Sequence, residues 1–208
     1  MNSEVVKVYE KKTKDSFFNK QLGIIHNGER NLKPLILENI VECSPTTFQC
    51  VETYGRFLNG SGFQNEEVKN YNLNNQQHEF KNPNDLLKEV TDELKVHEGV
   101  FVNVHYNALY EKTHFKIIPN NLCRLGKKDS NDYSGKIVVS EIGWGLRVKE
   151  KDLKVFDNYN PNPEAIEEQV IAAGGWQNYK GQILYFKLNN KYTYAKSPLE
   201  TSYIYSDV

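Results

Sequence analysis

Hydrophobic positions in this chain change period along its length, and the changes mark its elements. From Ser44 onward, Phe48, Val51, Tyr54 and Leu58 recur at spacings of three and four, the interval that lines side chains along one face of a helix. Ser44 stands where it can cap that helix, Pro45 at the first helical position and Gly60 where the helix ends. Asn82-Pro83 repeats the device, with Leu87, Val90 and Leu94 as the stripe of a second helix over residues 83–97. The period then drops to two. Val100, Val102, Val104 and Tyr106 fall on one face and Phe101, Asn103 and His105 on the other, which predicts a strand. Residues 115–118 are expected to return antiparallel to it, and 136–140 and 142–149 to add β segments. Asn162-Pro163 opens a third helix with Ile166, Val170 and Ala173 buried and Gly174-Gly175 at its end. Residues 182–188 and 191–194 flank Asn189-Asn190, a two-residue hairpin turn tolerant of positive φ.

The stretches between these elements set the organisation. Residues 61–81 follow neither period and read as a polar loop. In residues 1–42, Val5, Val6 and Val8 suggest a short strand, while Lys11, Lys12 and Lys14 suggest a solvated turn. This segment is expected to be an N-terminal arm that orders only against a neighbour, leaving 43–208 as the domain. The expected fold class is α+β, with amphipathic helices packed on a small, mostly antiparallel sheet. No repeat of fixed period argues for a solenoid or propeller. Near the end, Ser197-Pro198-Leu199-Glu200 forms a capping box with only residues 201–208 behind it. An isolated helix of that length is marginal in water, so the chain reads as the front piece of a longer one.

Composition narrows the function classes. At 208 residues the chain is long enough for one sizeable core. A formal net charge of -1 argues against a protein whose main work is to neutralise phosphates. Cys43, Cys50 and Cys123 are an odd count at unrelated spacings, and no signal segment opens the chain, which points to a reduced, intracellular site of synthesis. The longest apolar runs, such as Val100-Phe101-Val102, fall far short of the ~20 residues that span a bilayer. Asn59-Gly60-Ser61 matches a glycosylation sequon but reads more simply as a helix end.

Candidate chemistry is sparse. A thiol nucleophile needs an imidazole to hold it as thiolate, and the three cysteines face His26, His78, His97, His105 and His114 without a local signature. Cys50 lies near the stripe of the first helix, where a buried thiol acts as a small hydrophobe. His105 and His114 face each other across the expected hairpin and, with Cys123 or His97, would make a metal site, though the spacings match no zinc pattern. Strand histidines on a polar face are the simpler reading. Asp92-Glu93 and Glu167-Glu168 are adjacent on helices, where consecutive side chains diverge by about 100°, and read as solvated faces. Gly60-x-Gly62 and Gly143-x-Gly145 lack the context of a phosphate loop. Lys127-Lys128, beside Asp129 and Asp132, reads as a turn between β segments. Trp144 and Trp176 are surfaces for cores or subunit contacts. No catalytic, cofactor-binding or metal-ligating residue is expected, and no enzyme activity.

One resemblance covers roughly residues 44–208. The block Ser44 to Phe63, ending Gly60-Ser61-Gly62-Phe63, resembles the early helix of tailed-bacteriophage portal proteins and its Gly-rich turn. His97 to Asn107 looks like that family's Gly-led strand and Phe115 to Pro119 like its return. Residues 137–144, Gly181 to Tyr185 and Tyr194 to Leu199 are similar to the closing portion of the wing region. The resemblance implies a virion component: a ring-forming structural protein at one capsid vertex, made in the host bacterial cytoplasm, through which DNA is packaged and ejected. Its implied partners are other copies of itself, the major capsid protein, terminase, tail or adaptor proteins, and double-stranded DNA in the channel of the full-length protein, with no membrane. This segment would be the outer wing, working through subunit and capsid contacts. The family has no catalytic residues to carry over. A stand-alone interaction module, and a small enzyme using Cys50 or the His97, His105 and His114 group, are the alternatives.

Overall fold

The computed structural model describes residues 18–19, 22–28, 30–71, 82–128, 133–144, 148–189 and 191–201. Its helices are α1 (Lys33–Cys43), α2 (Pro45–Asn59), α3 (Glu66–Lys69), α4 (Pro83–His97) and α5 (Pro163–Ala172). Its strands are β1 (Phe18–Asn19), β2 (Ile24–Ile25), β3 (Gly99–Tyr106), β4 (Lys112–Ile118), β5 (Cys123–Lys127), β6 (Tyr133–Ser140), β7 (Leu153–Asn158) and β8 (Gln182–Lys187). The cap-then-proline starts work as expected. The Ser44 hydroxyl accepts from the Thr47 N–H, the Asn82 side chain from Asn84 and Asp85, and that of Asn162 from Glu164, each relieving backbone donors that a helix start leaves unpaired.

Eight strands form one mixed sheet in the order β1-β2-β5-β6-β7-β8-β3-β4. All neighbours are antiparallel except β7 and β8, which run parallel because α5 carries the chain between them. The sheet is curled. Only Pro119 to Leu122 join β4 to β5, although five inter-strand steps separate them in the sheet order. Laid flat, that separation is about 24 Å, whereas five Cα steps reach about 17 Å at full extension. The link is far from extended, since Leu122 N–H donates to Pro119 and Cys123 N–H to Asn120. Glu93 on α4 holds this link by accepting from both the backbone N–H and the side-chain amide of Asn120.

The curl gives β3 two buried faces. On the concave side Phe101 joins Ile25, Ile118, Leu125, Ile137 and Ile183 in one core, so residues from both ends of the sheet meet. On the convex side Val100, Val102, Val104 and Tyr106 lie under Leu94 of α4 and Ile166 and Val170 of α5. The alternation read from the sequence is present, but both sets are covered, as in a central strand.

Residues 24–25 and 33–42, expected to belong to an arm, supply β2 and all of α1 but its last residue, with Ile24, Ile25, Leu37 and Val41 buried; the valines and lysines at 5–14 lie outside the described residues. In α2 the buried positions are Val51 and Gly55, while Phe48 points to solvent. Gly55 lets α4 approach: a Cβ there would meet the Lys95 side chain at 2.8 Å. In the polar loop over 61–81, Asn65 caps the short α3, and 72–81 lies outside the described residues. The strand expected over 142–149 is not formed in its described part. Ser140 to Gly143 make a turn closed by the Ser140 hydroxyl, residues 145–147 lie outside the described residues, and the strand comes later as β7. The hairpin expected at 189–190 is not formed by its described flanks, and Asn190 lies outside the described residues. Residues 191–194 do not pair with β8, because Tyr194 turns inward and its hydroxyl donates to Ile25 and accepts from Leu125.

Glu98, between α4 and β3, adopts φ 54 and ψ 17, a left-handed conformation that suits glycine. Burial, then the nearby Glu200 carboxylate, raises its pKa. The native state therefore holds this proton more tightly than the unfolded chain, and stability falls as pH rises through the window that starts at the ordinary carboxylate value. Glu98→Gly is expected to raise stability at pH 7 by about 0.5–1 kcal/mol, since the strain outweighs the added chain entropy. The gain should shrink toward pH 4, as urea unfolding at the two pH values will show.

Candidate functional site

The concave face opens into a groove of about 1110 Å³. One wall is a ladder of directly opposed residues on β3 and β4. Along it Phe101 pairs with Ile118, Asn103 with Lys116 and His105 with His114, and of these Asn103, His105, Lys116 and Ile118 line the groove. The other wall carries Lys154 and Phe156 of β7, and the end of α5 with residues 177–181 closes the far side. Asn103 is buried and donates its amide to the carbonyls of Lys180 and Gln182, fixing that side against β3. The acids in the groove are engaged with lysines, Glu141 with Lys154 and Asp157 with Lys136. Their charge is thus met locally.

Behind the groove sits a fully used polar cluster. Gln182 is buried and donates to Asn160 and Gln169 while accepting from the Tyr106 hydroxyl and the Asn160 N–H. Tyr179 donates to Gln169, and burial, with Asp157 nearby, pushes its phenol up to about 12. These phenols are hydrogen-bonding struts, neutral at physiological pH.

The residues singled out from the sequence are largely dispersed. Cys123 lies in the concave core, where burial pushes its thiol well up, whereas Cys43 and Cys50 are exposed. Cys50 therefore does not serve as the buried hydrophobe expected. His97 is buried and bonds Glu38 of α1 at 3.1 Å, away from His105 and His114. Those two rings do meet, with centroids 5.1 Å apart. Among the described residues no group of three or more His, Cys, Asp or Glu is arranged to hold a metal. His78 lies outside the described residues. Glu93 is no solvated face, since it clamps the β4–β5 link, whereas Glu167 and Glu168 are exposed. Gly60 ends α2 with φ 53. Lys127 ends β5 and β6 begins at Tyr133, so the Lys127-Lys128 pair stands where a turn was expected, with residues 129–132 outside the described set. Trp144 is buried with its indole N–H on the Leu122 carbonyl, and Trp176 packs half exposed against Tyr110 and Tyr179.

Arg124 was not legible as a key residue. On β5 it is 1% exposed and sends its guanidinium into five carbonyl-type acceptors: the side chain and backbone of Asn31 and the backbones of Asn120, Asn121 and Cys123. The Trp144 ring lies 5.2 Å from it. Burial lowers its pKa to about 10, so it remains charged at neutral pH. No spacing in the sequence announces this, because its partners are mostly main-chain oxygens brought by the fold.

The outer surface of α2 and the turn after it carries uncovered aromatics. Phe57 is 81% exposed, Phe48 46% and Phe63 39%. Among the described residues no helix is long and apolar enough to cross a membrane. No protein-family model matches this chain, and no curated protein matches it.

Proposed function

We propose that this chain is a non-catalytic building block of a tailed-phage portal ring, set at the capsid vertex through which DNA is packaged and ejected. The observation that carries the reading is the exposure of Phe48, Phe57 and Phe63. They belong to the block that resembles the portal family, and Phe57 in particular leaves most of its apolar surface in water, which favours covering it. At a subunit contact they bury much area for little lost rotamer freedom. Copies of the chain would associate through these exposed aromatics and contact the capsid protein, while terminase, tail or adaptor proteins and DNA meet the ring at other surfaces.

Negative-stain imaging of the full-length product tests the reading. Rings with a central hole are expected, and uniform monomers would count against it in favour of a stand-alone interaction module. In the same assay Phe57→Asp should leave the monomer fold intact, because a surface position of this exposure contributes within about 0.5 kcal/mol, yet abolish or shrink the ring population. Rings unchanged by the substitution would place the subunit contact on another face.

A further inference from the structure

We propose that His105 and His114 form a two-imidazole site for a borderline divalent transition cation such as Zn2+, Ni2+ or Cu2+, next to the groove that His105 lines. The two residues are direct cross-strand partners on β3 and β4, so both side chains leave the same face of the sheet at neighbouring positions. Between His105 and Tyr106 the register shifts, with β4 carrying one extra residue there, and such bulges re-aim side chains. The ring separation suits shared ligation. An imidazole nitrogen lies roughly 2.0–2.1 Å from such a cation, with the ring centre about 1.1 Å farther. Two ligands at a tetrahedral angle then place their ring centres about 5.2 Å apart; the pair stands 5.1 Å apart in an edge-to-face contact with ring planes 66° apart, so a turn about the side-chain torsions is what aims one nitrogen of each at a shared ion.

The donor set selects the cation class. Two neutral imidazoles favour Zn2+, Ni2+ and Cu2+ and disfavour Mg2+ and Ca2+, which take oxygen ligands. His105 also lines the groove. With no third His, Cys or carboxylate grouped with the pair among the described residues, the remaining coordination positions fall to water or to a donor atom of a molecule in the groove. The pair thus forms an open site, one that a groove-bound molecule can complete. This inference stands independently of ring assembly.

Calorimetric titration of the full chain with NiCl2 tests it, in a background of Cys43→Ser and Cys50→Ser, because those exposed thiols compete for the ion. One Ni2+ per chain is expected. His105→Gln and His114→Gln should each lower the affinity by at least about tenfold, with far-ultraviolet circular dichroism unchanged, and His78→Gln should leave it as it was. With one equivalent of Cu2+, pulsed electron paramagnetic resonance should report two imidazole nitrogens. Absence of binding in the thiol-free background, retained affinity in either His105→Gln or His114→Gln, loss in His78→Gln, or a single imidazole in the Cu2+ spectrum would each overturn the assignment.

Discussion

Arg124→Ala is expected to be the most damaging single substitution in this chain, lowering stability by on the order of 3–5 kcal/mol. The side chain is fully buried, and its removal takes a charged donor from the acceptors of Asn31, Asn120, Asn121 and Cys123, of which the Asn31 side-chain oxygen keeps the Asn27 N–H and the Asn120 carbonyl keeps the Cys123 N–H. Each unpaired buried acceptor costs about 1–3 kcal/mol, and the total is lowered by relaxation and entering water. The loss should spread beyond β5, because Asn31 belongs to the segment before α1 while Asn120 and Asn121 belong to the β4–β5 link. Arg124→Lys separates geometry from charge. An ammonium keeps the charge but has three donors on a single nitrogen, with no planar fork to reach acceptors on several sides. It should recover only a minor part of the loss. Urea unfolding of the three proteins gives the answer, and a lysine variant as stable as the parent would show that charge, not the fan of hydrogen bonds, matters here.

Gly181→Ala should cost about 3 kcal/mol or more, far beyond an ordinary surface change. Gly181 has φ +78, and a Cβ there would sit 2.3 Å from the Val104 carbonyl oxygen and 3.0 Å from its carbon. That neighbour is the backbone of β3, buried on both faces, so it cannot step aside as a flexible side chain would. The clash would also strain the amide contacts of Asn103 to Lys180 and Gln182, loosening one side of the groove. Gly60→Ala is the control. It shares a positive φ of 53, with ψ -138, but has nothing within 4 Å of the added atom, and should lose only the backbone strain, on the order of 1–3 kcal/mol. Equal losses in the two variants, measured by thermal or urea unfolding, would assign the effect to backbone conformation alone and remove the steric argument.

The parts of the fold legible in the sequence are those fixed by local chemistry. α2, α4 and α5 announce themselves by a capping side chain followed by proline, and β3 by its strict alternation. α1 escaped because Leu32 at its start offers no side-chain cap, leaving only a buried stripe of Leu37 and Val41 to be seen. β5 reads Cys-Arg-Leu-Gly-Lys, and its buried arginine breaks the apolar pattern that betrays a core strand. β7 is half exposed and carries Lys154 and Asp157, so its pattern is too weak to compete with the more apolar run before it. The expected 189–190 hairpin looked sound locally, but the pull of Tyr194 into the core is a contact across 169 positions, which no window of neighbouring residues contains. The groove was invisible for the same reason. The pairing of His105 with His114 was legible, since a short hairpin sets that register, whereas the curl that sets His105 against a cavity depends on how β4 hands the chain to β5.

The inward-turned Tyr194 has a mechanical consequence. Its hydroxyl bonds Ile25, Lys33 is ion-paired with Glu200 at 2.8 Å, and the Ser197 hydroxyl is anchored to the Val96 carbonyl. The early and late parts of the described chain are thus fastened side by side. Tension applied between residues 22 and 201 would load this small clasp before it reached the long ladders of β3, β4 and β8, so the body of the domain is shielded from forces entering through its two flanks.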